Sequence, residues 1–325
     1  MAHHLYLEKI KDRDERDRNG NATVGAVWLV FAPMFERVLI CTNLSDGLQR
    51  LIHFVPSLAA ANIRHLIFLH CVPIKTSGAI PRIDTDKVEQ AKVWLSVAQN
   101  HIPAGMTVDI RVEAGAPEDI VLKVAKETKA DLMMMGYSVR NSISEQLFGS
   151  TALELYNKTA IPILSLRPQL ISTYTTEELA LRCQHLFRYL LLPYDDSPAA
   201  QYVLESVKQR LVQQPAPSTK TCHFVWNVDD VDRRDIPQEP YIERAKTTLA
   251  TVQAAFTIPN VEVVTEVRIG SRIVDVLEAA LEPDVSAIAM SHHPRNSFLE
   301  FSVPSFTRDM LRHSWHPILY FPSTR

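Results

Sequence analysis

ADLMMMGYSVRNSISEQLFGSTALELYNKTAIPILSL, residues 130–166, and VSAIAMSHHPRNSFLEFSVPSFTRDMLRHSWHPILYF, residues 285–321, are two copies of one segment. Arg140, Asn141, Ser142 and Glu145 fall on Arg295, Asn296, Ser297 and Glu300, and Pro162 falls on Pro317, each 155 positions on. A period that long exceeds any solenoid repeat and equals a whole domain, so the chain reads as a tandem duplication. Its 325 residues leave each copy enough chain for a core of its own. The copies diverge most at glycines: Gly136 and Gly149 in the first stand opposite Ser291 and Pro304 in the second.

Working outward, short apolar runs alternate with amphipathic helical patterns. In the first half, strands are read at 37–43, 66–72, 106–112, 131–135 and 161–166, with helices at 47–61, 84–100, 117–128 and 150–159. The second half repeats the order, with strands at 189–195, 221–228, 261–267, 285–290 and 317–321. Its helices are read at 199–212, 241–256 and 273–281, with a further one after the motif loop. The strands are apolar throughout rather than alternating, which means a mainly parallel sheet covered by helices on both faces. Right-handed crossovers then gather the strand C-termini on one edge, where α/β ligands sit. The expectation is two tandem doubly wound α/β domains at 34–168 and 187–325. A linker at 169–186 carries a polar turn at 172–176 and a short helical stretch. Residues 1–33 read as an accessory arm without chemistry, and Met34 is an alternative start.

Composition excludes several function classes. A net charge of −3 gives no bulk electrostatic case for nucleic acid or an anionic membrane. The apolar run at 24–32 is too short to span a bilayer, and the acidic residues within 9–18 do not suit a signal peptide. Cys41, Cys71, Cys183 and Cys222 show no C-x-x-C spacing and read as free thiols of a reducing compartment, hence a cytoplasmic protein. Neither the P-loop, the dinucleotide fingerprint, the nucleophile elbow nor the zinc-protease helix occurs, and no acid/base pair stands out. His292 and His293 lack a third ligand and read as solvent-facing rather than metal-binding. A dedicated enzyme is therefore the weakest reading.

The motif itself has a physical logic. Gly136, directly after the buried run Met133-Met134-Met135, lets the backbone turn sharply and lets a ligand approach without a Cβ in the way. Gly149-Ser150-Thr151 then opens a helix, whose free N–H groups and two hydroxyls form a natural phosphate site. The same serine and threonine are also ordinary helix caps.

On these residues the chain resembles the universal stress protein family in its tandem two-domain form, with an adenine nucleotide alpha hydrolase-like fold. The family's nucleotide-binding members carry G-x2-G-x9-G-[ST] here; the first copy reads Gly136-x2-Val139-x9-Gly149-Ser150, with Arg140 at an often basic position. The Gly115-Ala116-Pro117 turn and Leu69-His70-Cys71-Val72 are family-like too. The aspartate that usually ends the first strand is Asn43 here and Asp195 in the second copy. The resemblance implies an adenine nucleotide in the first domain, ATP or another, with Mg2+ only alongside ATP. Asn43 and the Cys71 backbone would hold the nucleoside, and Gly136, Val139, Arg140, Gly149, Ser150 and Thr151 would surround the phosphates. It also implies that the closing strands pair, giving an internal pseudo-dimer and admitting a homodimer of chains. Slow ATP hydrolysis would follow only if ATP binds. The departures point elsewhere: Val139 replaces the middle glycine, and the second copy has Ser291, Pro294 and Pro304 for the three glycines. That leaves a second reading, a scaffold with two degenerate pockets and an unknown protein partner, docking through the arm or the loop 229–240.

Overall fold

A computed structural model describes residues 33–44, 47–74, 82–136, 155–156, 158–214, 217–229, 237–291 and 305–322. Five strands of the first half are β1 Arg37–Cys41, β2 His65–Val72, β3 Thr107–Ala114, β4 Leu132–Gly136 and β5 Ile163–Leu166. The second half supplies β6 Tyr189–Pro193, β7 Thr221–Asp229, β8 Glu262–Gly270, β9 Ala287–Met290 and β10 Ile318–Tyr320. All ten form one sheet in the order β3-β2-β1-β4-β5-β10-β9-β6-β7-β8. Every neighbouring pair is parallel except β5 and β10, which run antiparallel.

Strands buried on both faces form here because the sequence offers unbroken apolar runs. Val38, Leu39 and Ile40 of β1 are all fully buried, and fully burying such side chains stabilises by about 1.5–3 kcal/mol each. Alternate residues face two core layers. Ile40, Phe68, Met134, Leu164, Leu319 and Phe224 belong to one layer; Leu39, Ile67, Met133, Ile163, Ile318 and Val225 belong to the other. Both layers run continuously through both halves of the sheet. The first layer is covered by α1 Val55–Ala60, α2 Thr85–Leu95, α4 Pro168–Thr173, α5 Thr176–Gln184, α6 Pro198–Val212 and α7 Glu239–Ala255. The second is covered by α3 Pro117–Thr128, α8 Arg272–Leu281 and α9 Ser305–His313.

The halves join at the antiparallel pair, where Leu164 lies directly opposite Leu319. Those two residues are each other's counterparts in the duplication, 155 positions apart. A residue paired with its own copy is the signature of an isologous two-fold interface, here made within one chain. The Phe35 ring packs tilted against Phe187, its counterpart before β6, with centroids 5.1 Å apart. Across the seam, Tyr156 meets Tyr320 edge-on at 4.5 Å and hydrogen-bonds Ser165. Arg167, buried at the end of β5, donates to the carbonyls of Leu311, Arg312 and Ser314 and so caps the C-terminus of α9.

Three expected elements differ in detail. The helix read at 47–61 is a 3-10 turn, Leu48–His53, followed by α1, because Pro56 has no N–H to continue a single helix through Phe54. The helix read at 84–100 is α2 continued by a 3-10 turn, Ser96–Gln99. The stretch 169–186 holds two helices: Thr175 and Glu178 form a reciprocal capping box that starts α5 directly after α4 ends.

The outer edge of each half carries an ion-pair network between its edge strand and its helix. On β3 and α3, Lys123 pairs with Glu113 at 2.8 Å and Arg111 pairs with Glu127. On β8 and α8, Arg268 pairs with Glu266 at 2.6 Å and approaches Glu278 at 3.7 Å. The counterparts carry opposite signs: Arg111 matches Glu266, Glu113 matches Arg268 and Lys123 matches Glu278.

Leu164→Ala and Leu319→Ala should each destabilise by about 2–5 kcal/mol in urea unfolding. Because the two residues face each other, the double variant should depart from additivity by about 0.5 kcal/mol or more. A strictly additive pair would mean the seam does not couple the halves. A second prediction concerns His316. Burial, aided by the Arg182 guanidinium, holds its imidazole below the ordinary value, while its hydrogen bond to the Val285 carbonyl works the other way. The unfolded chain therefore takes up the proton first, and the stability from a neutral His316 is lost as pH falls below about 6.5. The loss of urea midpoint between neutral and mildly acidic buffer should shrink in His316→Gln.

Candidate functional site

In the order β3-β2-β1-β4-β5 the chain reverses direction between β1 and β4, and in the second half between β6 and β9. Crossovers leave those two points to opposite sides, opening a crevice outside the strand C-termini where ligands of open α/β sheets bind. The register aligns Cys41 with Met135 on β4 and with Leu69 on β2. Asn43, Cys71 and Gly136, which follow those residues, therefore share one edge on three adjacent strands. Val139, Arg140, Gly149, Ser150 and Thr151 lie outside the described residues, as do His292 and His293.

The backbone at this edge is unusual. Leu44, next to Asn43, has φ 63°, a region an L-residue with a bulky side chain rarely enters. Its N–H donates to the Thr42 hydroxyl at 3.0 Å, and the Thr42 N–H donates to the Leu69 carbonyl. The His70 ring hydrogen-bonds the Thr42 carbonyl at 2.9 Å, fastening the end of β1 to β2. Exposed Asn43 opens onto a cleft of about 420 Å³ lined also by His70, Lys87, Gln90 and Trp94. On the other face, Gly115 takes φ 152° and leads into α3, whose N-cap residue Ala116 offers no side-chain cap. A Cβ at Gly115 would lie 3.2 Å from Ile120 Cδ1. The Cys71 thiol faces that side too, 4.0 Å from the Pro117 carbonyl. Burial, with the Glu113 carboxylate adding, pushes it up to about 12.

The second half repeats the backbone and changes the chemistry. Asp196, counterpart of Leu44, has φ 58°, and Gly270, counterpart of Gly115, has φ 154°. The crevice itself is bridged. Arg272 stands where the first half has Pro117, and its guanidinium pairs with Asp195 Oδ2 at 2.7 Å while stacking 4.1 Å over Phe306 in the first turn of α9. It thus reaches from the strand end to the helix start. Asn227, the register counterpart of Cys71, donates to the Asp275 carboxylate and, at 3.3 Å, to the Gly270 carbonyl. Burial raises the Asp275 carboxyl above its usual range, opposed mainly by that Asn227 hydrogen bond. The remaining space is about 140 Å³. Sequence reasoning passed over Arg272 and Leu44. Aligning Gly115-Ala116-Pro117 with Gly270-Ser271-Arg272 would have exposed the first; the strain at Leu44 leaves no signal in the sequence.

Among the described residues no cluster of three or more His, Cys, Asp or Glu side chains could hold a metal, and no helix is long and apolar enough to cross a membrane. Fold and site together define a duplicated, doubly wound α/β protein whose second switch-point crevice is bridged internally by Arg272. The chain belongs to the universal stress protein family, whose model matches residues 34–167 and again 187–322. Among curated relatives, it is 35% identical over 148 residues to the universal stress protein E homolog of Haemophilus influenzae, covering 41% of this chain and 48% of that one. It is 25% identical over 132 residues to a universal stress protein of Synechocystis sp., covering 40% and 42%. The chain thus spans less than half the length of the curated relatives it matches. A universal stress protein structure from Archaeoglobus fulgidus superposes with a TM-score of 0.61 at 16% identity, covering 90% of this chain and 97% of that one. One from Pseudomonas aeruginosa superposes with a TM-score of 0.55 at 11% identity, covering 88% and 93%. Both show the same fold.

Burial holds Cys71, Cys183 and Cys222 each at about 12, so almost no thiolate exists at neutral pH. Peptide mapping after brief treatment with a thiol reagent at pH 7.5 should find these three unmodified in native protein and modified in urea. Rapid native labelling of Cys71 would contradict its packing.

Proposed function

We propose that the chain is a cytoplasmic regulator in a stress response that binds one adenine nucleotide, ATP foremost, in its first half. The observation that carries this reading is the contrast at one position. Arg272 crosses the second crevice from Asp195 to α9, whereas the first half has at that position Pro117, which carries no charged side chain to bridge it. Asn43 would hydrogen-bond the ribose or base, and the Cys71 backbone would complete the nucleoside contact. Gly136 would let the phosphates approach the backbone. Val139 and Arg140 would flank them, and Gly149, Ser150 and Thr151 would supply N–H and hydroxyl donors. Mg2+ would arrive only with ATP. The protein would act through its nucleotide-dependent shape rather than as an enzyme, with any ATP hydrolysis slow. The second half would serve as the structural partner of an internal pseudo-dimer, and chains could pair further into a homodimer.

Val139 favours a second reading. A β-branched side chain replaces the glycine of the family pattern at the phosphates, and Asn43 brings no charge where the family has aspartate. On that reading the chain is a scaffold for a protein partner and binds no nucleotide.

Calorimetric titration with ATP separates the two. The first reading expects one site per chain, with binding weakened about tenfold by Gly149→Ala, which sets a Cβ in the path of the phosphates, and by Ser150→Ala, which removes a charge-assisted hydroxyl donor. Ser305→Ala should leave it unchanged. Flat titrations with ATP, AMP and cyclic dinucleotides would establish the scaffold reading instead.

A further inference from the structure

A cavity of about 350 Å³ lies beneath the linker helices α4 and α5 and shares no lining residue with either switch-point crevice. Its floor is apolar: Met134, Leu166, Ile171, Leu179, Leu186 and Val285 are all buried. Its rim is charged. Arg182, exposed on α5, stacks 4.4 Å over the Tyr174 ring, and exposed Arg188 stands just before β6. Neither makes an ion pair among the described residues. A third guanidinium, Arg167, binds the α9 carbonyls, yet its charge still faces the cavity. Two carboxylates share the lining, Glu178 and Asp284, and Glu178 is committed to the α5 capping box. Among the described residues lining the cavity, three guanidiniums stand against two carboxylates, an excess of one positive charge. The walls are held stiffly: Arg50 donates to the carbonyls of Ile171 and Tyr174, and the Ser172 hydroxyl donates to the Pro168 carbonyl.

The geometry points to a second ligand site, for a small monocarboxylate with an apolar body such as a single aromatic ring or a short branched chain. The volume lies at the lower end of small-molecule pockets, which combine a mostly apolar lining with a few placed polar groups. The apolar body lies on the floor, and the carboxylate takes the forked donors of Arg182, already oriented by Tyr174. The single excess charge selects a monoanion over a dianion or a neutral molecule. The site does not depend on nucleotide binding, since it uses none of the same residues.

Ligand-observed NMR titrations with phenylacetate and its neutral isostere phenylacetamide test this assignment. Phenylacetate should bind the wild-type chain at least tenfold more tightly than the amide. Arg182→Gln, a surface change, should weaken phenylacetate about tenfold and leave the amide unchanged, as expected for loss of a charge-assisted hydrogen bond. Leu170→Trp, which fills the cavity from α4, should abolish both, with the circular dichroism melt confirming that the variant is folded. Saturating ATP should not displace phenylacetate. Equal affinity for acid and amide, no effect of Arg182→Gln, displacement by ATP, or no binding at all would each overturn the assignment.

Discussion

The rest of the structure depends on the antiparallel pairing of β5 with β10. Among the described strands it is the one antiparallel pair, and there Leu164 meets its own counterpart Leu319. Both core layers pass through it without interruption, so neither half closes its hydrophobic interior alone. The contacts around it reinforce the same symmetry: Phe35 against Phe187 on one face, Tyr156 against Tyr320 on the other. Arg167 adds a polar tie by capping a helix of the opposite half. Because the two faces of the pairing belong to one chain, association is intramolecular and holds at any dilution.

Around that seam the halves keep a common backbone and part company in their side chains. The left-handed turn after the first strand appears at Leu44 and at Asp196, and the positive-φ glycine before the crossover helix at Gly115 and at Gly270. Those turns stand at corresponding strand ends in both halves. Side chains are free to change, and they have done so in concert. Cys71 and Ile120 belong to one apolar layer in the first half; their counterparts Asn227 and Asp275 hydrogen-bond in the second. Arg272, where the first half has Pro117, closes the second switch-point crevice with an internal ion pair to Asp195.

Much of this architecture was legible in the sequence, because strands buried on both faces are apolar without interruption and the duplication supplies each element twice. Boundaries failed where local chemistry outweighed periodicity. Pro56 split the helix read at 47–61, and the Thr175–Glu178 capping box, a visible T-x-x-E signal, turned a polar stretch into the start of α5. The site was legible in part. Asn43, Cys71 and Gly136 come together at one edge because strand order brings three distant strand ends side by side. The bridge from Arg272 to Asp195 spans 77 positions and depends on a crossover, so no local pattern announces it. The cavity under α4 and α5 was hidden for the same reason: a linker looks inert until its helices are seen lying across the seam.

The sign-reversed ion pairs at the outer edges bear on how the duplication endures. Each strand is matched to its own helix: Glu113 to Lys123 and Arg111 to Glu127 in one half, Arg268 to Glu278 in the other. Replacing β3 by the sequence of β8 would set glutamate against Glu127 and arginine against Lys123. Genetic exchange between the two copies, which ordinarily homogenises repeats, would therefore yield mismatched edges whenever the crossover fell between strand and helix. Each half's edge strand thus carries a charge pattern fitted to its own helix and not to the helix of the other half.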